Sequence, residues 1–345
     1  MPIAVDTMGG DSPLLVQVEA AVRAVNDFGI EVVLVGAFEQ IEETLKFHNY
    51  DSDKLRIVNS TETVEMNESP ASALRQKKHS SIRVAVDLVK DGEAEAVVSA
   101  GNTGASMAIA KFVLKSIEGI ERPAIASIMP SVHRNHPFVL LDAGANTDCK
   151  PLYLFQFALM GDAYARTYLH LDNPRVALLN NGEEEGKGYV ELKETYDLLK
   201  QSKLNFVGNI EGKAMFRDKV NVVVCDGFVG NIALKVAEGT FDFVSSILRE
   251  EVNKSLLSKF GYLAMKGPFK ALRQRADYSE VGGASLLGIN GIVIICHGNS
   301  KVHTFRNAIK HAQECVDLEL NDKIAGEVSE NLEVINQAKI LNGGE

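Results

Sequence analysis

The sequence predicts an α/β fold in which parallel β-α-β units build a sheet covered by helices on both faces. Short β-branched runs recur along the 345 residues, helical segments alternate with them, and several runs lead straight into turns rich in Gly, Asn, Asp or Ser. The composition, 46% hydrophobic and 24% charged, supplies ample apolar surface for a large core.

The first strand is Ile3-Ala4-Val5. Further strands are expected over Glu31 to Val35, Ala94 to Ser99, Phe138 to Leu141, Arg175 to Leu179, Val220 to Cys225 and Gly291 to Cys296, each apolar enough to be buried on both faces. Apolar residues recurring at three and four predict helices over Leu14 to Asn26, Ser81 to Lys90, Ala105 to Leu114, Tyr189 to Gln201 and Val302 to Leu318. The stretch from about Gly239 to Val281 has no strand pattern and reads as a helical protrusion. With no repeat or Pro-rich linker, residues 1–322 read as a single α/β domain and 323–345 as an amphipathic helical tail.

Six polar turns follow strands. Asp6-Thr7-Met8-Gly9-Gly10-Asp11 comes first, then Ser99-Ala100-Gly101-Asn102-Thr103-Gly104, Asp142-Ala143-Gly144-Ala145-Asn146 and the loop from Asn180 through Glu184 and Lys187 to Gly188. The last two are Asp226-Gly227-Phe228-Val229-Gly230-Asn231 and His297-Gly298-Asn299-Ser300. In a parallel sheet all six converge on the carboxyl edge, where open α/β folds bind ligands. Glycine lets a ligand approach the backbone, and a following helix start adds unpaired N–H donors and a positive dipole end, which suits a phosphate or a developing oxyanion. Asn231 and Lys235 in the first turns after Asp226 could bind an anion through their side chains; taken singly, the Gly101 turn also fits a tight strand-to-helix connection, Glu183-Glu184-Glu185 a solvated loop, Lys235 a solvated side chain and His297 a capped histidine.

No phosphate loop of the G-x-x-x-x-G-K-[ST] type, G-x-S-x-G elbow, H-E-x-x-H metal site or strand-linked G-x-G-x-x-G is found, so nucleotide hydrolysis, serine hydrolysis and classical nicotinamide binding lose support. The net charge of −10 argues against nucleic acid as a partner. Four widely spaced cysteines, no secretory signal pattern and no long apolar run lead to the expectation of a cytoplasmic enzyme with at most peripheral membrane contact.

Taken in order, the six turns resemble the signature of the PlsX family, the acyl carrier protein:phosphate acyltransferases of bacterial phospholipid synthesis. The resemblance implies a Rossmann-like αβα sandwich similar to isocitrate and isopropylmalate dehydrogenases and phosphotransacetylases, with a protruding helical hairpin, a homodimer and no cofactor. It further implies that long-chain acyl carrier protein and inorganic phosphate react to acyl phosphate and free carrier, with a downstream glycerol-phosphate acyltransferase as a further partner. On that basis Asn102, Thr103 and the amides of Gly101 and Gly104 are expected to bind phosphate, with Lys187 and Asn231 neutralising charge and His297 protonating the departing thiolate. Asp6, Asp11, Glu184 and Asp226 would orient these donors, and Gly9, Gly10, Ser99, Asp142, Asn146, Gly227, Gly230 and Ser300 would complete the site. The chain departs from the family pattern at Ser12, where His is usual, and at Asn181, where Ile is usual.

Between Lys254 and Arg275 six basic residues and no acidic ones are interleaved with Leu257, Phe260, Leu263 and Met265, which suits reversible docking on an anionic membrane, reception of an acidic carrier protein, or a packed hairpin at a dimer interface. Two other readings remain at this point: a phosphotransacetylase-like enzyme acting on short acyl-coenzyme A, and a scaffold without catalysis.

Overall fold

A computed structural model describes residues 1–134, 136–276 and 282–341. Its strands are β1 (Ile3–Asp6), β2 (Val32–Gly36), β3 (Leu55–Asn59), β4 (Ala96–Ser99), β5 (Ala124–Met129), β6 (Phe138–Leu141), β7 (Val176–Asn180), β8 (Phe206–Glu211), β9 (Val222–Val224), β10 (Ala284–Leu287) and β11 (Ile292–Ile295). They form one sheet in the order β3-β2-β1-β4-β11-β10-β5-β6-β9-β7-β8. The central strands are short and buried on both faces, because helices cover both.

One face carries α1 (Leu14–Phe28), α2 (Phe38–Leu45), α6 (Pro151–Tyr168), α7 (Val190–Gln201), α11 (Val302–Asp317), α12 (Leu320–Glu330) and α13 (Leu332–Leu341), packed in a single core that includes Val5, Val98, Phe155, Val224 and Phe305. On the other face α3 (Pro70–Gln76), α4 (Ser81–Lys90) and α5 (Thr103–Leu114) cover the half-sheet around β1 and β4. Over β6, β7 and β9 that face receives the inner part of one long helix, α8 (Gly227–Asn253), whose Ala233, Leu234 and Ala237 pack on it. Leu234 also touches the cluster containing Ala105 and Ile109, so α5 and α8 share a face.

The sheet is mixed, which corrects the expectation of a parallel one. Strands β3, β2, β1, β4 and β11 run parallel, but β10 pairs antiparallel with both β11 and β5, and β5 pairs antiparallel with β6. The remaining strands, β6, β9, β7 and β8, then run parallel to one another and opposite to β1. The turns after β1, β4 and β11 therefore lie at one edge of the sheet and those after β6, β7 and β9 at the other. All six do not converge on one edge.

The expected protrusion is the outer part of a longer element. Helix α8 starts at Gly227, twelve residues before the expected start, and continues through α9 (Leu256–Ala264) to α10 (Lys266–Ala276). Residues 277–281 of that expectation, and 342–345 of the expected tail, lie outside the described residues.

Candidate active site

The first group of turns is knit together by one buried carboxylate. Asp6 accepts the N–H groups of Met8 and Gly9 on Oδ1, each at 3.1 Å, and the Ser99 hydroxyl on Oδ2 at 2.7 Å. Ser99 in turn accepts the Gly101 N–H at 3.0 Å, which locks the β1 and β4 turns into one unit. Burial pushes the Asp6 carboxyl above its ordinary range, opposed by these donors. Gly10 has φ +93°, and a Cβ there would stand 2.7 Å from the Ala100 carbonyl, so only glycine allows the turns to approach. Asp11 N–H donates to the Gly298 carbonyl, and Ser12 donates to the Ser300 carbonyl, which draws in the β11 turn.

At the start of α5, Asn102 caps the helix. Its Oδ1 takes the Ala105 N–H, and its Nδ2 donates to the carbonyls of Glu65, Met66 and Glu68 at 3.2, 2.9 and 2.8 Å. The side chain expected to hold phosphate is thus engaged in the fold. What this turn offers a ligand is the helix start beside Thr103, which is exposed, and Gly104. The Ser300 hydroxyl is buried without a partner among the described residues.

The second group is built on Asp142. Its Oδ1 accepts the N–H groups of Ile125, Gly144 and Ala145, and its Oδ2 those of Asn146 backbone and side chain, all within 2.7–3.0 Å. Burial raises this carboxyl too, against the pull of the donors. The Asn146 amide is held as well by the Pro123 carbonyl, so Asp142 and Asn146 shape the loop.

Asp226 caps α8 through the Val229 N–H at 2.8 Å and accepts the Tyr189 hydroxyl at 3.1 Å. Partial burial, with Asp226 alongside, holds the Tyr189 phenol above its usual range, so it stays a donor. Gly227 and Gly230 face the Asp142 loop, with the Gly227 N–H donating to the Asn146 carbonyl. Asn231 is exposed, standing over Gly144. Lys187 is exposed, and it forms no ion pair among the described residues. Glu184 contributes its carbonyl to the Lys187 and Asn209 donors, while Glu185 is drawn away to Lys200 at 2.7 Å.

Helix α8 joins the two groups. It runs from the Asp226 edge across the sheet face, and Lys235 Nζ reaches His297 Nε2 at 2.8 Å and Glu238 at 2.9 Å. An ammonium held by Glu238 donates to the imidazole, which places the acceptor lone pair of His297 on Nε2. Asn231 and Lys235 are four residues apart, hence neighbours on one side of the helix. The result is a polar stripe Gly144–Asn231–Lys235–His297, on a face rather than at an edge, reaching toward the α5 start. Lys235, which the sequence offers with Asn231 as a possible anion-binding side chain, proves to be the partner of His297, whereas Tyr189 was not expected at the site. The i, i+4 spacing from Asn231 is the signal for the first; nothing local marks the second.

Burial pushes the Cys225 thiol well above its ordinary range, so it offers no thiolate nucleophile beside Asp226. The arrangement therefore supplies charge, N–H donors and a proton-bearing pair, which is what attack of an external anion on an acyl group requires.

A family profile described as fatty acid synthesis protein matches residues 1–323. A phosphate acyltransferase from Geotalea uraniireducens is 49% identical over 331 residues, 96% of this chain and 95% of its own. The chain belongs to the PlsX family of phosphate acyltransferases. A second relative in the PlsX family, the phosphate acyltransferase of Geobacter sulfurreducens, is also 49% identical, over 94% of this chain and 93% of its own. The fold is shared more widely. A phosphotransacetylase from Streptococcus pyogenes superposes with a TM-score of 0.61 at 19% identity, covering 91% of this chain and 94% of its own. The EutD phosphotransacetylase from Staphylococcus aureus gives 0.59 at 16%, with the same coverage.

Proposed function

We propose that the chain transfers a long-chain acyl group from acyl carrier protein to inorganic phosphate, giving acyl phosphate and free carrier for phospholipid synthesis. The observation that carries this reading is near-full-length identity of 49% to relatives named phosphate acyltransferase. In this reading phosphate is held by Asn231 of the polar stripe and by Lys187 of the loop after β7, with the Gly101–Gly104 turn adding N–H donors. Attack on the thioester carbonyl forms the acyl–phosphate bond and expels the carrier thiolate. His297, fed by Lys235, protonates it. Asp6, Asp142 and Asp226 hold the turns; Asp11, Glu184 and Ser300 line their margins.

Purified protein incubated with palmitoyl-carrier protein and phosphate is expected to release carrier thiol and acyl phosphate in equal amounts. Acetyl-coenzyme A should be a poor substitute. Lys187→Ala and Asn231→Ala should each raise the KM for phosphate about tenfold or more, the loss of one charge-assisted contact. Unchanged phosphate dependence in both would remove these residues from the mechanism.

The same reading expects a cytoplasmic homodimer, with residues 1–322 acting as one domain and α9 docking on anionic membrane. Leu257, Phe260, Leu263 and Met265 are 83%, 69%, 62% and 52% exposed, which supports it. Lys259, Lys266 and Lys270 are exposed nearby, whereas Lys254 is paired with Glu250 and Glu251, and the side chains of Arg273 and Arg275 lie outside the described residues. Among the described residues no helix is long and apolar enough to cross a membrane. Vesicles containing anionic lipid should sediment the wild type but not a Leu263→Glu, Met265→Glu variant. Equal sedimentation would end the docking idea.

A further inference from the structure

A large cavity beneath α8 lies apart from the polar stripe itself, although Glu238, which holds Lys235, is among its lining residues. It has a volume of about 1280 Å³ and lies between α8 and the sheet face over β7 and β9, on the side of α8 away from Asn231 and Lys235. Its floor includes Leu179, Met215, Phe216 and Cys225, and its roof is the α8 row of Val229, Ala233, Ala237, Phe241 and Leu248. Those roof positions are spaced by four and seven, so they make one apolar stripe along the helix. Sites for small ligands usually occupy about 300–1,000 Å³, so this one is oversized for phosphate alone.

The cavity has a direction. At the first turn of α8 it is bounded by Asn180, Asn181, Tyr189 and Asp226, which are polar, and at the other end it reaches Leu272 of α10. From Val229 to Leu248 the helix advances about 28 Å, enough to lie alongside a fully extended palmitoyl chain. We propose that this groove holds the fatty acyl chain of the thioester, with the carbonyl at the Tyr189–Asp226 end and the terminal methyl toward α10. The assignment rests on the proposed acyl transfer and adds where the chain lies and what measures its length. The polar end adjoins the Lys187 loop and the turn bearing Asn231, so a carbonyl there meets the phosphate donors while the chain leaves along the opposite side of α8. The far end reaches Leu272 of α10, the helix that follows the exposed apolar residues of α9 in the chain.

Ala237 sits midway along the roof and outside the polar stripe, so Ala237→Phe is the test. In the full-length protein it should lower kcat/KM for palmitoyl-carrier protein about tenfold or more, the cost of roughly two displaced methylenes. Octanoyl-carrier protein should be turned over as by wild type. That unchanged octanoyl rate also certifies that the variant is folded. Equal loss on both chain lengths in a variant with a wild-type melting curve overturns the groove assignment. A second readout uses palmitoyl-carrier protein bearing a photoreactive diazirine at its terminal carbon: labelling of Val244, Leu248 or Leu272 upholds the assignment, and labelling confined to other elements overturns it. Labelling that appears only after protomers are dissociated assigns the groove to a second copy of the chain and also overturns it. Absence of phosphate-dependent turnover by wild type would count against the acyl-transfer reading, and the diazirine label would still decide the groove.

Discussion

Gly230→Ala is expected to lower phosphate-dependent turnover by about a hundredfold or more and to destabilise the protein by about 3 kcal/mol. A Cβ at this position would overlap the Asp142 carbonyl oxygen and stand 2.9 Å from Cys225 Sγ. Neither neighbour can yield. The Asp142 carboxylate is tied to four backbone N–H groups and the Asn146 amide, and Leu141 and Cys225 are buried. Relief must come from lifting α8, which takes Asn231 off Gly144 and Lys235 away from His297. A displacement of about an ångström in a positioning group is enough for a loss of that size. Gly239→Ala on the same helix is the control. A Cβ there meets nothing within 4 Å, so that variant should be neutral or more stable by about 0.5–1 kcal/mol. A Gly230→Ala enzyme retaining half its activity would refute the view that this backbone contact sets the site.

The second large effect is expected at His297. Removing a general acid costs about 10²–10⁴-fold in rate, and His297→Ala should fall in that range on palmitoyl-carrier protein with little change in KM. Lys235→Met should follow it, since Lys235 Nζ touches the imidazole at 2.8 Å. The discriminating measurement uses a palmitoyl thioester of an acidic aromatic thiol, whose thiolate departs without a proton. Activity of His297→Ala should recover on that substrate. A deficit equal on both substrates would assign His297 a structural role and leave proton delivery to another group.

Much of the fold was legible wherever local pattern and burial agreed. Phe138–Leu141 is a continuous apolar run because both faces of β6 are covered, and Ser81–Lys90 shows a clean helical period because one side of α4 faces solvent. Helix α6 escaped notice for the opposite reason: residues 151–165 apart from Tyr153 are buried, so no apolar-to-polar contrast survives. Strands β3 and β8 lie at the two ends of the sheet and carry polar residues such as Arg56, Asn59, Asn209 and Glu211, which dilute the pattern. Strand β10, with Ser285 in a four-residue run, is too short to announce itself.

The site was legible in its parts more than in its assembly. Asp6, Asp142 and Asp226 stood out in glycine-rich turns and prove to be the acceptors that hold those turns together. Strand direction is absent from local composition, and it alone decides that the turns fall in two groups. Asn102 was read from its place in a Gly-Asn-Thr-Gly turn, but only the fold brings the Glu65, Met66 and Glu68 carbonyls to its amide.

The position of β10 and β11 also bears on how the chain comes together as it is synthesised. Residues 284–295 stand in the middle of the sheet, between β4 on one side and β5 on the other. Everything N-terminal to them can build two separate half-sheets, but the halves meet only when this late hairpin inserts as a keystone. Such closure is non-local and slow, and until it occurs the edges of β4 and β5 remain open to pairing with other chains. Protection of the amides of β4, β5 and the two keystone strands should therefore appear last, and together, during refolding.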